Sequence, residues 1–166
     1  MEGLIPDKKL DKHLPEGWTV THINSFKSFK VMELDTEREG VLKLLSPAII
    51  ERLYDIEEYG YTPQILWEQN NYTIVEWIPG IHWKGYMDKN GLTDKFAKWY
   101  ILENWKIFNI IGGHGDFVWY NVIITPDIEV KWIDIGTGGA KEGFINQMWM
   151  HTNRMYTEEE IEEMLP

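Results

Sequence analysis

The chain has 166 residues, 43% hydrophobic and 26% charged, which excludes a disordered, collagen-like or fibrous protein. It has no cysteine, so disulfide scaffolds, thiolate metal sites and cysteine nucleophiles are excluded, and a reducing cytoplasm is the expected location. Asp and Glu number 27 against 16 Lys and Arg, a net charge of −11, so nucleic acid is not an expected partner.

No apolar run approaches the roughly 20 residues that span a bilayer. The start, Met1-Glu2-Gly3-Leu4-Ile5-Pro6, lacks the basic-then-apolar order of a secretory signal. No membrane partner is expected. The length suits one domain over residues 1–166. Nine Trp read first as an aromatic core, and second as an exposed docking subset.

Residues 1–17 are polar and proline-punctuated, an arm or a short helix around Lys8 to His13. Trp18 to Ile23 alternates like a strand. A glycine-free turn, Asn24 to Ser28, leads to a second strand at Phe29 to Leu34, and Val41 to Leu45 is a third with Lys43 inside an apolar run. Ser46-Pro47 opens a helix, Ile49, Ile50, Leu53, Tyr54 and Ile56 form its buried stripe, and Gly60 stops it. Gln64 to Trp67 and Tyr72 to Trp77 are two further strands, and Pro79-Gly80 is the natural boundary. Thr93 caps a long helix to about Ile111, ended by Gly112-Gly113. Val122 to Thr125 and Glu129 to Ile133 form a hairpin around Pro126-Asp127. Thr157 and Glu160 fit a capping box for a last helix. The sum is an α+β chain.

The chemistry concentrates in His114-Gly115-Asp116-Phe117-Val118-Trp119-Tyr120-Asn121 and Ile133-Asp134-Ile135-Gly136. Asp116 and Asn121 are five apart, and Asp134 follows Asn121 by thirteen, a gap filled by the hairpin. Both ends of that hairpin return to one place, so three oxygen-bearing side chains converge. Phosphoryl transfer uses such a set: a carboxylate to orient the attacking hydroxyl, and hard oxygen ligands for magnesium. The plain alternative is an ordinary hairpin with incidental Asp and Asn.

These residues resemble the H-G-D-x-x-x-x-N and I-D-x-G forms of the protein-kinase-like superfamily. The forms are those of aminoglycoside and choline phosphotransferases, RIO kinases, the small kinase of the KEOPS complex and lipopolysaccharide kinases. The resemblance runs in order over roughly residues 18–136. It implies a two-lobed fold: an N-lobe to about residue 78, with an antiparallel sheet and one helix, and a truncated helical C-lobe over 79–166. It implies Asp116 as catalytic base, Asn121 and Asp134 as magnesium ligands, and Lys43 as the contact of the ATP phosphates. Glu51 would orient Lys43, with Glu57 and Glu58 as rivals and a solvated helix face as the plain alternative. Glu76-Trp77-Ile78 would be the hinge that bonds adenine, and His114 a prop of the loop.

Two features depart from the family pattern. The first turn has no glycine-rich loop, so Ser25, Ser28, Lys27 or Lys30 would contact phosphate in its place, with a plain surface hairpin of solvated lysines as the equal alternative. Only thirty residues follow Gly136, and the A-P-E element is missing. Substrate recognition is then reduced, or borrowed from a protein partner or second subunit.

The expected function is that of a minimal ATP- and magnesium-dependent protein Ser/Thr kinase. The alternatives are a small-molecule kinase of the aminoglycoside or sugar type, and a pseudokinase acting as a binding module. A two-carboxylate hydrolase using Asp116 and Asp134 ranks last, because it leaves Lys43 and Asn121 without a role.

Overall fold

The computed structural model describes residues 11–25 and 28–166. The chain is α+β and divides into two compact units, Met1–Asp55 with Pro63–Trp77, and Ile56–Thr62 with Ile78–Pro166. Among the described residues no helix is long and apolar enough to cross a membrane.

The first unit is built on an antiparallel sheet of β1 (Trp18–Ser25), β2 (Ser28–Glu33), β3 (Glu39–Leu44), β4 (Ile65–Gln69) and β5 (Tyr72–Glu76), in the order β1-β2-β3-β5-β4. Period-two alternation sorts its two faces. Phe29, Val31, Leu42 and Ile74 are fully buried on one, with Trp18, Val20, Leu66 and Trp67 packed against them. Ser28, Lys30, Val41 and Lys43 fall on the other. Gly40 is required on the core face: a Cβ there would stand 2.5 Å from Ile74 Cγ2. Ser46 starts α1 (Pro47–Ile56), its hydroxyl accepting the Ile49 N–H at 3.4 Å. The sequence predicts one helix from here to Gly60. Instead, α1 ends at Ile56 and a 3₁₀ turn, Glu57–Tyr59, runs to Gly60 at φ 72°. Of the predicted helix around Lys8 to His13, only a 3₁₀ turn at Asp11–His13 falls within the described residues. Phe26 and Lys27 lie outside them.

The second unit holds the predicted hairpin, β7 (Val122–Ile124) and β8 (Val130–Trp132). A strand not expected from the sequence, β6 (Ile81–His82), pairs with β7. Two residues carry too little periodicity to be read as a strand. Gly80, at φ 146°, permits this pairing, since a Cβ there would meet the Ile124 carbonyl. Around the small sheet stand α2 (Trp83–Asn90), α3 (Asp94–Ile111), α4 (Lys141–His151) and α5 (Glu158–Met164). Thr93 caps α3 by accepting the Phe96 N–H, and Thr157 and Glu160 close the capping box of α5.

Aromatic rings fill this second core. Trp83 stacks on Tyr100 at 3.6 Å, and Phe117 packs on Trp132 at 4.8 Å. Trp83, Trp105 and Trp132 are buried, whereas Trp119 is 39% exposed. The Trp132 indole N–H donates to Asn104 Oδ1 at 2.7 Å, and Asn104 Nδ2 donates to the Tyr100 carbonyl at 2.8 Å. Asn104 is fully buried, so each of these bonds offsets a desolvation cost.

Trp132→Phe keeps a ring at this position but strands the Asn104 acceptor. An unpaired buried group costs about 1–3 kcal/mol, in addition to the lost contact area. Urea unfolding is expected to show a lower midpoint with an unchanged slope. A midpoint equal to that of the parent chain contradicts this reading of the core.

Candidate functional site

The stretch from His114 to Asn121 leaves α3 through Gly112, at φ 85°, and is tied at both ends to the segment that follows β8. The Gly136 N–H donates to the His114 carbonyl at 2.6 Å, and the Ile133 N–H donates to the Asn121 carbonyl at 2.9 Å. A Cβ on Gly115, at φ 87°, would come 2.8 Å from Gly136 Cα. Only glycine permits that approach and that backbone region together. The residues carrying Asp116, Asn121 and Asp134 are therefore laced into one locus.

His114 is the inner prop. It is 2% exposed, and its Nε2–H donates to the Ile133 carbonyl at 2.8 Å. Its Nδ1 accepts the Asp116 N–H at 3.2 Å. A carbonyl only accepts and an N–H only donates, so this pair of partners fixes the neutral Nε2–H tautomer. A metal-ligand role is excluded while both ring nitrogens are so engaged.

Asn121 is 2% exposed. Its Nδ2 donates to the Asp116 carbonyl at 2.9 Å and to Asp116 Oδ2 at 3.3 Å. These bonds orient the amide and hold the Asp116 carboxylate. They leave Asn121 Oδ1 with no hydrogen bond among the described residues, a hard oxygen suited to a cation. Asp116 and Asp134 are both exposed. Asp134 sits at φ 52°, a left-handed conformation that a non-glycine residue adopts at a cost of order 1 kcal/mol. Among the described residues no three His, Asp or Glu side chains form a metal cage. The expected pair, Asn121 and Asp134, would supply two oxygen ligands, a number that suits magnesium shared with phosphate oxygens.

The sequence gives no hint of a second histidine behind this loop. His151, the last residue of α4, is 2% exposed. Its Nε2–H donates to the Phe117 carbonyl at 3.2 Å, and its Nδ1 accepts the Tyr100 hydroxyl at 2.8 Å. The Trp83 indole N–H donates to the His151 carbonyl at 2.8 Å. Helices α2, α3 and α4 thus meet the loop at one residue, His151. Burial pushes the His151 pKa down from 6.5 to about 3 and the Tyr100 hydroxyl up. These partners lie 34 to 68 residues apart, beyond any local pattern.

The first unit carries the other expected residues. Lys43 is half-buried on β3 and lies directly across from Ser28 on β2 and Thr73 on β5. Directly opposed residues share a face, so Ser28 and Lys43 stand side by side. Glu51 is exposed on α1 and takes part in no ion pair among the described residues, so its expected pairing with Lys43 is not formed. Its rivals Glu57 and Glu58 lie in the 3₁₀ turn of the second unit. The Glu76 N–H is taken by the Gln64 carbonyl at 2.8 Å, and the Trp77 N–H by the Glu39 carbonyl at 3.2 Å. The Trp77 ring lies under Lys30 Nζ at 4.2 Å. Ile78 keeps an N–H with no bond among the described residues, so of the three backbone N–H groups of the expected hinge it alone is open. The Ser25 side chain and the whole of Lys27 lie outside the described residues.

No protein-family model matches the chain, and a search of curated proteins finds no significant match.

With its native pKa depressed, His151 stays neutral while the unfolded chain takes up a proton. Stability from this group is complete above about pH 6.5 and is lost as the pH falls from there toward 3. Nitrogen NMR is expected to show the Nε2–H tautomer of His151 unchanged from pH 7.5 to 5. An imidazole that titrates near 6.5 in the folded chain contradicts the buried network.

Proposed function

We propose that the chain transfers the γ-phosphoryl group of ATP to a Ser or Thr hydroxyl of a protein. The observation that carries this reading is the coupling of Asp116 to Asn121. One amide orients the carboxylate and keeps its own oxygen free for a cation, while Asp134 is held at the same locus.

Asp116 accepts the proton of the acceptor hydroxyl. The acceptor oxygen forms its bond to the γ-phosphorus as the bond to the bridging oxygen breaks, and ADP leaves with that electron pair. Asn121 Oδ1 and the Asp134 carboxylate would hold magnesium, which when bound supplies positive charge against the phosphates. Trp132, His114 and His151 keep the loop in place before substrate arrives, which is where most of the catalytic gain of such a site lies. In the first unit, Lys43 with Ser28 beside it is the proposed phosphate contact. The Ile78 N–H is the proposed adenine donor.

The unpaired Glu51 favours a second reading, a nucleotide-binding or regulatory module that does not turn over. Phosphate transfer from labelled ATP separates the two.

Thermal melts with ATP and magnesium test the site. At 100 times the dissociation constant a ligand adds about 2.7 kcal/mol, or roughly 5–10 °C for a chain of this size. The shift is expected to need magnesium and to vanish in Asp134→Ala. Asp116→Ala is expected to keep the shift and lose label transfer by about a hundredfold or more. Lys43→Ala is expected to weaken both. Equal shifts with magnesium or a chelator contradict the metal assignment, and full transfer by Asp116→Ala contradicts the base.

A further inference from the structure

The second unit contains an open cavity of about 530 Å³ beside the loop. That volume lies within the range of ligand sites, roughly 300–1,000 Å³. Its lining includes Lys84, Met87 and Asp88 of α2, Trp119 of the loop, Met150 of α4, and Arg154. Trp119 stands three residues after Asp116 and two before Asn121. A chain segment packed on its ring would lie along the loop that carries the proposed base.

The lining has a marked division of chemistry. Trp119 and the two methionines form an apolar part, and thioether side chains adapt to varied shapes. Lys84 is neutralised by Asp88 at 2.7 Å. Arg154 is different. Its guanidinium lies 4.6 Å over the Trp149 ring, and it pairs with no carboxylate among the described residues. This occurs in a chain with 27 acidic residues against 16 basic ones. A guanidinium held over a ring in this way still has N–H groups that can make two parallel bonds to a carboxylate. Arg154 and its neighbour Asn153 both sit at positive φ, 59° and 53°, in the turn that follows α4.

Resting on the phosphotransferase reading, we propose that this cavity seats the acceptor polypeptide and selects segments with an Asp or Glu close to an apolar residue. Arg154 takes the acid, and Trp119 with Met87 and Met150 takes the apolar side chain. The chain's net charge of −11 does not oppose this at contact. Distant charges are screened beyond about 8 Å at physiological salt, so acidic residues far from the exposed Arg154 act only weakly on a segment bound there.

The test uses fluorescein-labelled serine peptides that differ only in one flanking position: Glu, Gln or Lys next to a Leu. Binding is read by anisotropy without nucleotide, and phosphate incorporation is read from labelled ATP. The Glu peptide is expected to bind about tenfold more tightly than the Gln peptide, with the difference in KM rather than kcat. Arg154→Glu is expected to erase that preference, Arg154→Lys to keep part of it, and Trp119→Ala to weaken all three peptides. A circular dichroism melt confirms that each variant folds. Equal binding of the three peptides overturns the proposal, as does a preference that survives Arg154→Glu, or transfer to small hydroxylated compounds but to no peptide. A charge preference in binding with no phosphate transfer to any peptide overturns the phosphotransferase reading and upholds the cavity.

Discussion

Two buried neutral imidazoles hold the central loop, and the rest of the second unit is arranged to keep them neutral. His114 bridges the loop to the strand end at Ile133, and His151 bridges it to three helices. Each ring has one donor and one acceptor nitrogen, and each finds one acceptor and one donor. Protonating either would set an N–H against an N–H or O–H that already donates. The rings of Phe117, Trp132 and Tyr100 pack around the two imidazoles. The network therefore forms a hydrogen-bonded floor beneath the loop.

On that floor the exposed groups are few and oriented. Asp116 is held by the amide of Asn121, and the glycines at 115 and 136 bring the two backbone segments into contact. Asp134 sits in a left-handed conformation. Strain of this kind persists where neighbouring contacts over-determine the backbone, here the Ile133 and Gly136 hydrogen bonds on either side of it. The first unit repeats the logic with simpler means. A regular sheet fixes Lys43 opposite Ser28 by register alone.

Much of the fold was legible in the sequence because local rules decide it. Ser46-Pro47, Thr93 and Thr157 start their helices, and short β-favouring runs between turns mark the five strands of the larger sheet. The misses have physical causes. Strand β6 is two residues long and exists only through the approach of Gly80 to Ile124. The helix before Gly60 tightens to 3₁₀ geometry in its last turn, as helix ends commonly do. The meeting of the segments that carry Asp116, Asn121 and Asp134 was legible through spacing and the hairpin between two of them. His151 was not, since its partners are joined only by tertiary packing. Glu51 was chosen from helix register, and an exposed face satisfies that register equally well.

The central claim is that Asn121 Oδ1 and Asp134 bind a divalent ion together with ATP. Paramagnetic NMR tests it most directly, with manganese in place of magnesium and a non-hydrolysable ATP analogue. The side-chain amide signal of Asn121 should broaden beyond detection on adding both. Distant amides such as Asn90 should stay sharp, and the effect should disappear in Asp134→Ala. An Asn121 signal that stays sharp while the nucleotide binds, or broadening that persists without Asp134, would contradict the assignment.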